Sequence, residues 1–208
     1  PSCKYKEEGA AFAKWRAVIS VENSDDNTAA VNENMKRLAE YARMCLEAGI
    51  VPIVEPEVIM DGSHGIEDCE KQTRQALTLL YKYMDGLDLA GTLLKPNMIH
   101  PGKDSTEEVT AERVAEKTLA VLKACVPAAV PGIMFLSGGL SDEDSVNFLT
   151  EINKAENLPW NVSFSYGRAL QSAPLRLFSE TYESGDLSKA QEKLLERAKA
   201  CSLATQGE

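Results

Sequence analysis

Three cations and two carboxylates stand within strand-like runs of this sequence: Lys14 and Arg16 in AFAKWRAVI, Glu55 and Glu57 in VPIVEPEV, and Lys95 in GTLLKP. Residues two apart on a strand face the same side, so Lys14 projects with Arg16, and Glu55 with Glu57. If those faces meet in one interior, five ionised groups converge where charge is almost never buried unless paired or used. Two chemistries fit. In one, Lys14 and Arg16 are counter-ions of Glu55 and Glu57 in a buried polar layer, with Glu57 the best fit to that structural role, and Lys95 is a surface lysine at a strand end. In the other, an ammonium among cations is destabilised, which leaves more free amine to attack a carbonyl and makes Lys95 a nucleophile.

The other strand ends suit an anion. Ser137-Gly138-Gly139 and Gly167-Arg168 put glycines just after strand-like runs, where backbone N–H groups can approach a phosphate and the next helix start adds a favourable dipole. Arg168 would add a forked, permanently charged donor. The plainer alternative is that these glycines only make tight turns.

The elements that must position these residues recur along the chain. Five strand-like runs, at 11–19, 51–58, 91–96, 132–138 and 162–167, start about 40, 40, 41 and 30 residues apart, the pitch of repeated βα units. Between them, apolar residues at three- and four-residue spacing predict amphipathic helices. The first carries Val31, Met35, Leu38, Ala42 and Cys45, closed by Gly49. The second carries Ile66, Cys69, Thr73, Ala76, Leu77, Leu80 and Met84. The third carries Val114, Thr118, Val121, Leu122 and Cys125. Ser141 and Asp144 fit a capping box ahead of a fourth, with Val146, Leu149 and Ile152. Leu187, Ala190, Leu194, Ala198 and Cys201 mark a last helix, with Gly185 and Asp186 at its entry. Alternating β and α elements predict an α/β fold with a parallel sheet under helices, either an open doubly wound sheet or a (β/α)₈ TIM barrel. No G-x-G-x-x-G follows a strand, and the polar residues fall at strand C-terminal ends, as in barrel enzymes. The expectation is a single domain over residues 1–208, a partial barrel of five βα units whose remaining three lie outside this sequence.

Composition narrows the function classes. A chain of 208 residues with a formal net charge of −10 is a poor partner for nucleic acid or an anionic membrane, so neither is expected. Five scattered cysteines form neither a disulfide framework nor a C-x-x-C motif and predict reduced thiols in an intracellular protein. The two histidines, His64 and His100, have no companions at metal-ligand spacing, so neither a metal nor any other cofactor is expected. No run nears the roughly 20 apolar residues of a membrane span, and residues 1–10 do not read as a signal peptide.

The segments FAKWR, GIVPIVEPEV, GTLLKPNM, FLSGGLS and PWNVSFSYGRALQ, in this order and spacing, closely resemble class I fructose-bisphosphate aldolases. The resemblance implies a TIM barrel of which this chain supplies strands 4 to 8 and a C-terminal helix. It implies that Lys95 forms a Schiff base with a ketose carbonyl, and that Glu55 is the main general acid/base while Glu57 supports the charge layer. Lys14 would bind substrate hydroxyls and favour the free amine of Lys95, with Arg16 beside it, and Ser137, Gly138, Gly167 and Arg168 would bind the C1 phosphate. The implied reaction is reversible cleavage of fructose 1,6-bisphosphate to dihydroxyacetone phosphate and glyceraldehyde 3-phosphate, by a cytoplasmic or plastid-stromal homotetramer.

The sequence departs from the family in three places. The first three βα units, with an active-site aspartate and lysine, have no counterpart here. Phe178 and Ser179 replace a usual tryptophan-glycine pair, and no tail ending in tyrosine follows Glu208. The alternatives are a Schiff-base aldolase for another sugar phosphate, or a non-catalytic aldolase-fold fragment that serves as a protein-binding scaffold.

Overall fold

The computed structural model describes residues 2–21 and 28–208, without the side chains of Ser2 and Cys3. The expectation of a reduced thiol at Cys3 therefore lies outside the described residues, whereas none of Cys45, Cys69, Cys125 and Cys201 is in a disulfide.

A short helix α1 (Ser2–Glu7) leads into β1 (Phe12–Ile19), α2 (Thr28–Glu47), β2 (Val51–Val58), α3 (Ile66–Tyr83), β3 (Leu93–Leu94), α4 (Ala111–Cys125) and β4 (Gly132–Phe135). Then come α5 (Asp142–Asn153), β5 (Asn161–Phe164), α6 (Arg168–Thr181) and α7 (Ser188–Ala204). The strands form one parallel sheet in the order β1-β2-β3-β4-β5. This sequential order decides between the two expected architectures. A doubly wound sheet reverses its order at a switch point, whereas repeated right-handed crossovers without reversal place every helix on one face and curl the sheet into a barrel wall. The fold is the five-strand portion of a TIM barrel, with β1 and β5 as its edges.

The register shows which residues go to each face. Trp15, Val54, Leu94, Ile133 and Val162 are successive partners across all five strands and face the helices; of these, Val54, Leu94 and Ile133 are essentially inaccessible. The predicted helix faces supply the other half of this core: Val31, Met35, Leu38, Ala42 and Cys45 from α2, Ile66 through Leu80 from α3, and Val114, Val121 and Leu122 from α4. Fully burying one such aliphatic side chain contributes about 1.5–3 kcal/mol, so these rows hold the helices to the sheet. By alternation, Lys14, Arg16, Glu55, Glu57 and Lys95 go to the opposite, interior face.

Two sequence expectations are modified. The run GTLLKP yields a strand of only two residues, because Leu89–Gly91 winds into a 3₁₀ turn and Pro96 cannot donate to a ladder. On α7, Leu194 is 43% exposed rather than buried with Ala190 and Cys201, since α6 covers only part of that face. No helix among the described residues is long and apolar enough to cross a membrane.

Backbone bonds lace the loop after β2 to the loop after β3: Gly102 N–H donates to His64 O (2.9 Å), Lys103 N–H to Met60 O (2.7 Å) and Asp104 N–H to Gly62 O (3.0 Å). Their approach leaves no room for a side chain at residue 102, where a Cβ would lie 2.2 Å from Gly62 O. Gly102→Ala must push the loops apart. It should cost about 1–3 kcal/mol, read as a lower urea midpoint at unchanged m-value; an unchanged midpoint would show that the loops yield freely.

Candidate active site

The interior charge layer forms around Glu55. Its side chain is 4% exposed, with Lys14 Nζ 2.9 Å from Oε2 and Lys95 Nζ 3.1 Å from Oε1. Both contacts are ion pairs by distance; Oε2 is buried and no hydrogen bond of good angle reaches it among the described residues. The register explains the bridge. Arg16 sits opposite Glu55 and Lys14 opposite Ile53, so the Lys14 ammonium reaches the carboxylate diagonally, while Lys95 N–H donates to Val54 O (2.9 Å) and brings the second lysine in from the other side. Two residues further along, Arg16 Nε donates to the buried Glu57 carboxylate, which raises the guanidinium pKa further. Taking a carboxylate out of water costs several kcal/mol, so neither glutamate could be buried ionised without these cations. Three basic side chains thus face two carboxylates in the layer.

Beyond Arg16 and Glu57 the strand ends open into a cleft of about 190 Å³ lined by Arg16, Glu57, Ile59, Met60, Asp61, Lys103, Gly138, Gly139 and Arg168. Gly138 and Gly139 have φ of +56° and +103°, conformations that residues with a Cβ rarely adopt, so this turn needs glycine for more than compactness. The Arg168 guanidinium lies over Gly139, with Nη2 3.6 Å from where a Cβ would be, and Gly167 caps the N-terminus of α6 with open space around it. Ser137 is buried two residues past the end of β4. A helix N-terminus, a glycine turn and two guanidinium groups around one cleft suit a phosphate-sized anion.

The structure thus brings together Arg16, Glu57, Gly138 and Arg168 in the cleft, and Lys14, Glu55 and Lys95 one layer earlier along the strands. Three residues that sequence reading passed over also contribute. Asp61 and Lys103 form an ion pair at the cleft rim, which lowers the Asp61 pKa, and Asn97 is buried beside the layer. Asp61 and Asn97 each lie three residues past a strand, Lys103 stands in the loop between β3 and α4, and nothing local in the sequence marks any of them as a site residue. Among the described residues no group of three His, Cys, Asp or Glu side chains is arranged to hold a metal. A groove of about 850 Å³ between α2 and α3, on the outer side, carries none of these groups.

Comparison with known proteins places the chain as a whole. Residues 1–208 match the family described as "Glycolytic: Fructose-bisphosphate aldolase class-I". The chain is 48% identical over 207 residues to "Fructose-bisphosphate aldolase 4, cytosolic" of Arabidopsis thaliana, covering 98% of this chain and 52% of that protein. It is 46% identical over 208 residues to "Fructose-bisphosphate aldolase B" of Bos taurus, covering 99% of this chain and 57% of that one. Among solved structures, fructose-bisphosphate aldolase from Plasmodium falciparum, in complex with TRAP and a small-molecule inhibitor, superimposes with a TM-score of 0.93 at 41% identity, covering 99% of this chain and 60% of that one. The chain therefore spans between half and two thirds of the length of these relatives. A family match over the full 208 residues and a shared fold lead to one assignment: the chain belongs to the class I fructose-bisphosphate aldolase family.

Proposed function

We propose that the protein to which this chain belongs cleaves fructose 1,6-bisphosphate reversibly into dihydroxyacetone phosphate and glyceraldehyde 3-phosphate through a Schiff base on Lys95. The observation that carries this reading is the position of Glu55, a buried carboxyl group between the Nζ atoms of Lys14 and Lys95 at 2.9 and 3.1 Å, within proton-transfer reach of the proposed nucleophile.

In this mechanism Lys95 passes its ammonium proton to the Glu55 carboxylate and, as the free amine, adds to the C2 carbonyl. Glu55 delivers the proton with which the carbinolamine hydroxyl leaves as water, and a protonated imine results. The C4 hydroxyl then gives its proton to the carboxylate, the C3–C4 bond breaks, and its electron pair flows into the imine to form an enamine as the aldehyde departs. Protonation at C3 and hydrolysis release dihydroxyacetone phosphate and restore the amine. The imine lowers the barrier because it accepts the electron pair far better than the neutral ketone. Lys14 binds substrate hydroxyls, while Arg16 and Glu57 keep the layer fixed, so the charges that meet the transition state are set before substrate arrives. Ser137, Gly138, Gly167 and Arg168 hold the C1 phosphate.

The same reading assigns residues 1–208 to a single domain, completed by three further βα units, in a homotetramer. Its place is the cytoplasm, as the name of the Arabidopsis relative says of that protein, with the plastid stroma as the alternative.

Borohydride added to the full-length protein with dihydroxyacetone phosphate should fix the ligand to Lys95 as a stable secondary amine, located by peptide mapping. Label on Lys14 instead would overturn the assignment of the nucleophile. Arg168→Ala should lower kcat/KM for the bisphosphate about ten- to two-hundredfold, the equivalent of losing one hydrogen bond to a charged group at about 1.5–3 kcal/mol. Arg168→Lys should recover only part of that loss, because an ammonium cannot reproduce the fork. Unchanged phosphate affinity in Arg168→Ala would reduce Arg168 to a turn residue.

A further inference from the structure

We propose that Asn97 is a positioning residue that holds Lys95 against Glu55 of β2, by closing the seam between β2 and β3 where their ladder runs out. The ladder between these strands is two residue pairs long, Ile53 with Leu93 and Val54 with Leu94. Its last backbone bond runs from Lys95 N–H to Val54 O at 2.9 Å. Pro96 then has no N–H to offer, and its carbonyl turns the other way to accept from Leu136 N–H (3.1 Å). Four residues further along β2, Val58 N–H points to the same side and is met by the Asn97 side chain, whose Oδ1 accepts it at 3.0 Å.

The stretch of β2 that bears Glu55 and Glu57 is therefore pinned at both ends to residues 95–97. On its other flank, Ile59 N–H donates to Ile19 O (3.0 Å), so β1 holds the strand from behind. The Asn97 amide is itself fixed. Its Nδ2 donates to Thr73 Oγ1 of α3 at 3.1 Å and to Met98 O at 3.0 Å, and it lies 3.8 Å from Cys69 Sγ. Asn97, Thr73 and Cys69 are all buried, and Ile99 N–H anchors the following residues to Thr118 Oγ1 at 2.9 Å.

Only a primary amide one methylene from the backbone meets these demands. The Val58 donor requires an acceptor, the Met98 carbonyl requires a donor, and the burial allows neither a net charge nor an unpaired polar atom. A carboxamide shaped and seated in this way sets the spacing between the amine of Lys95 and the carboxylate of Glu55, the pair on which the proposed chemistry turns. A displacement of about 1 Å between reacting groups can cost on the order of a hundredfold in rate, so the brace acts on turnover without touching substrate.

The activity test rests on the aldolase reading, and a second readout does not. In the full-length protein, Asn97→Ala should lower kcat for the bisphosphate by about a hundredfold while KM moves less than about threefold, because the phosphate cleft is untouched. Thr73→Val breaks one bond to the same amide but leaves Val58 paired, so kcat should stay within about twofold of wild type even though the unfolding midpoint falls in both variants. Amide hydrogen exchange, which needs no activity, should show Val58 N–H losing protection in Asn97→Ala while Ile59 N–H keeps it. Asn97→Ser, too short to reach Val58, replaces the alanine variant if that one does not fold, with the same expected losses. If the folded variants keep kcat and a protected Val58 amide, Asn97 only fills the core and the proposal falls. If wild-type protein forms no borohydride-trapped adduct, the aldolase reading fails, and the contrast between the Val58 and Ile59 amides still decides whether the brace exists.

Discussion

The site depends on the cost of burying one carboxylate. Glu55 is almost fully removed from water, and an isolated ion there would be unstable by several kcal/mol. Lys14 and Lys95 offset that cost by approaching the carboxylate from opposite sides, each on a different neighbouring segment. That requirement passes to the backbone. Lys14 must come from the strand on one side of β2 and Lys95 from the segment on the other, which fixes the order of three consecutive strands and their registers. The same ions that make burial tolerable are the groups that can bind, attack and exchange protons, so stability of the layer and chemistry at the layer share one set of contacts.

The parallel sheet supplies what this arrangement needs. Sequential crossovers place all helices outside, where the apolar row from Val54 to Val162 packs against them, and leave the other face free for charge. The loops after β2 and β3 lie at the C-terminal end of the strands and are laced together by three backbone bonds, which holds Lys103 and Asp61 at the mouth of the cleft. On the outside, Lys117 ties Glu67 and Glu70 of α3 to α4, with Arg74 and Arg113 sharing the same carboxylates. Surface ion pairs are worth little singly, but this partly shielded cluster ties together the two helices that carry Thr73 and Thr118, the side chains that meet the segment following Lys95.

Much of this was legible in one dimension. Alternation along VPIVEPEV marks a strand with both glutamates on one side, and β2 has those bounds. The helical periods pick out the buried faces of α2, α3 and α4, and Ser141 caps α5 through a bond from Asp144 N–H (2.9 Å). The partners of those faces were not legible. A period of two tells which residues share a side, but only the register tells that Lys14 reaches Glu55 while Arg16 reaches Glu57, contacts that span 41 residues. Asn97 sits in the very motif that suggested the family, yet nothing local distinguishes a buried amide that braces two strands from one that caps a turn. Leu194 continues the apolar period of α7 but is left uncovered, because periodicity reports which face is apolar and not what packs on it.

The most direct test of the account is the turnover number of Glu55→Gln in the full-length protein at saturating bisphosphate. A carboxamide keeps the shape of the side chain while removing its charge and its capacity to carry a proton. If Glu55 is both the counter-ion and the acid/base, kcat should fall by about 10²- to 10⁴-fold, the range general acid/base catalysis contributes. A folded Glu55→Gln variant turning over at the wild-type rate would contradict the account, and would leave the buried pair with Lys14 and Lys95 as a structural layer without a part in the chemistry.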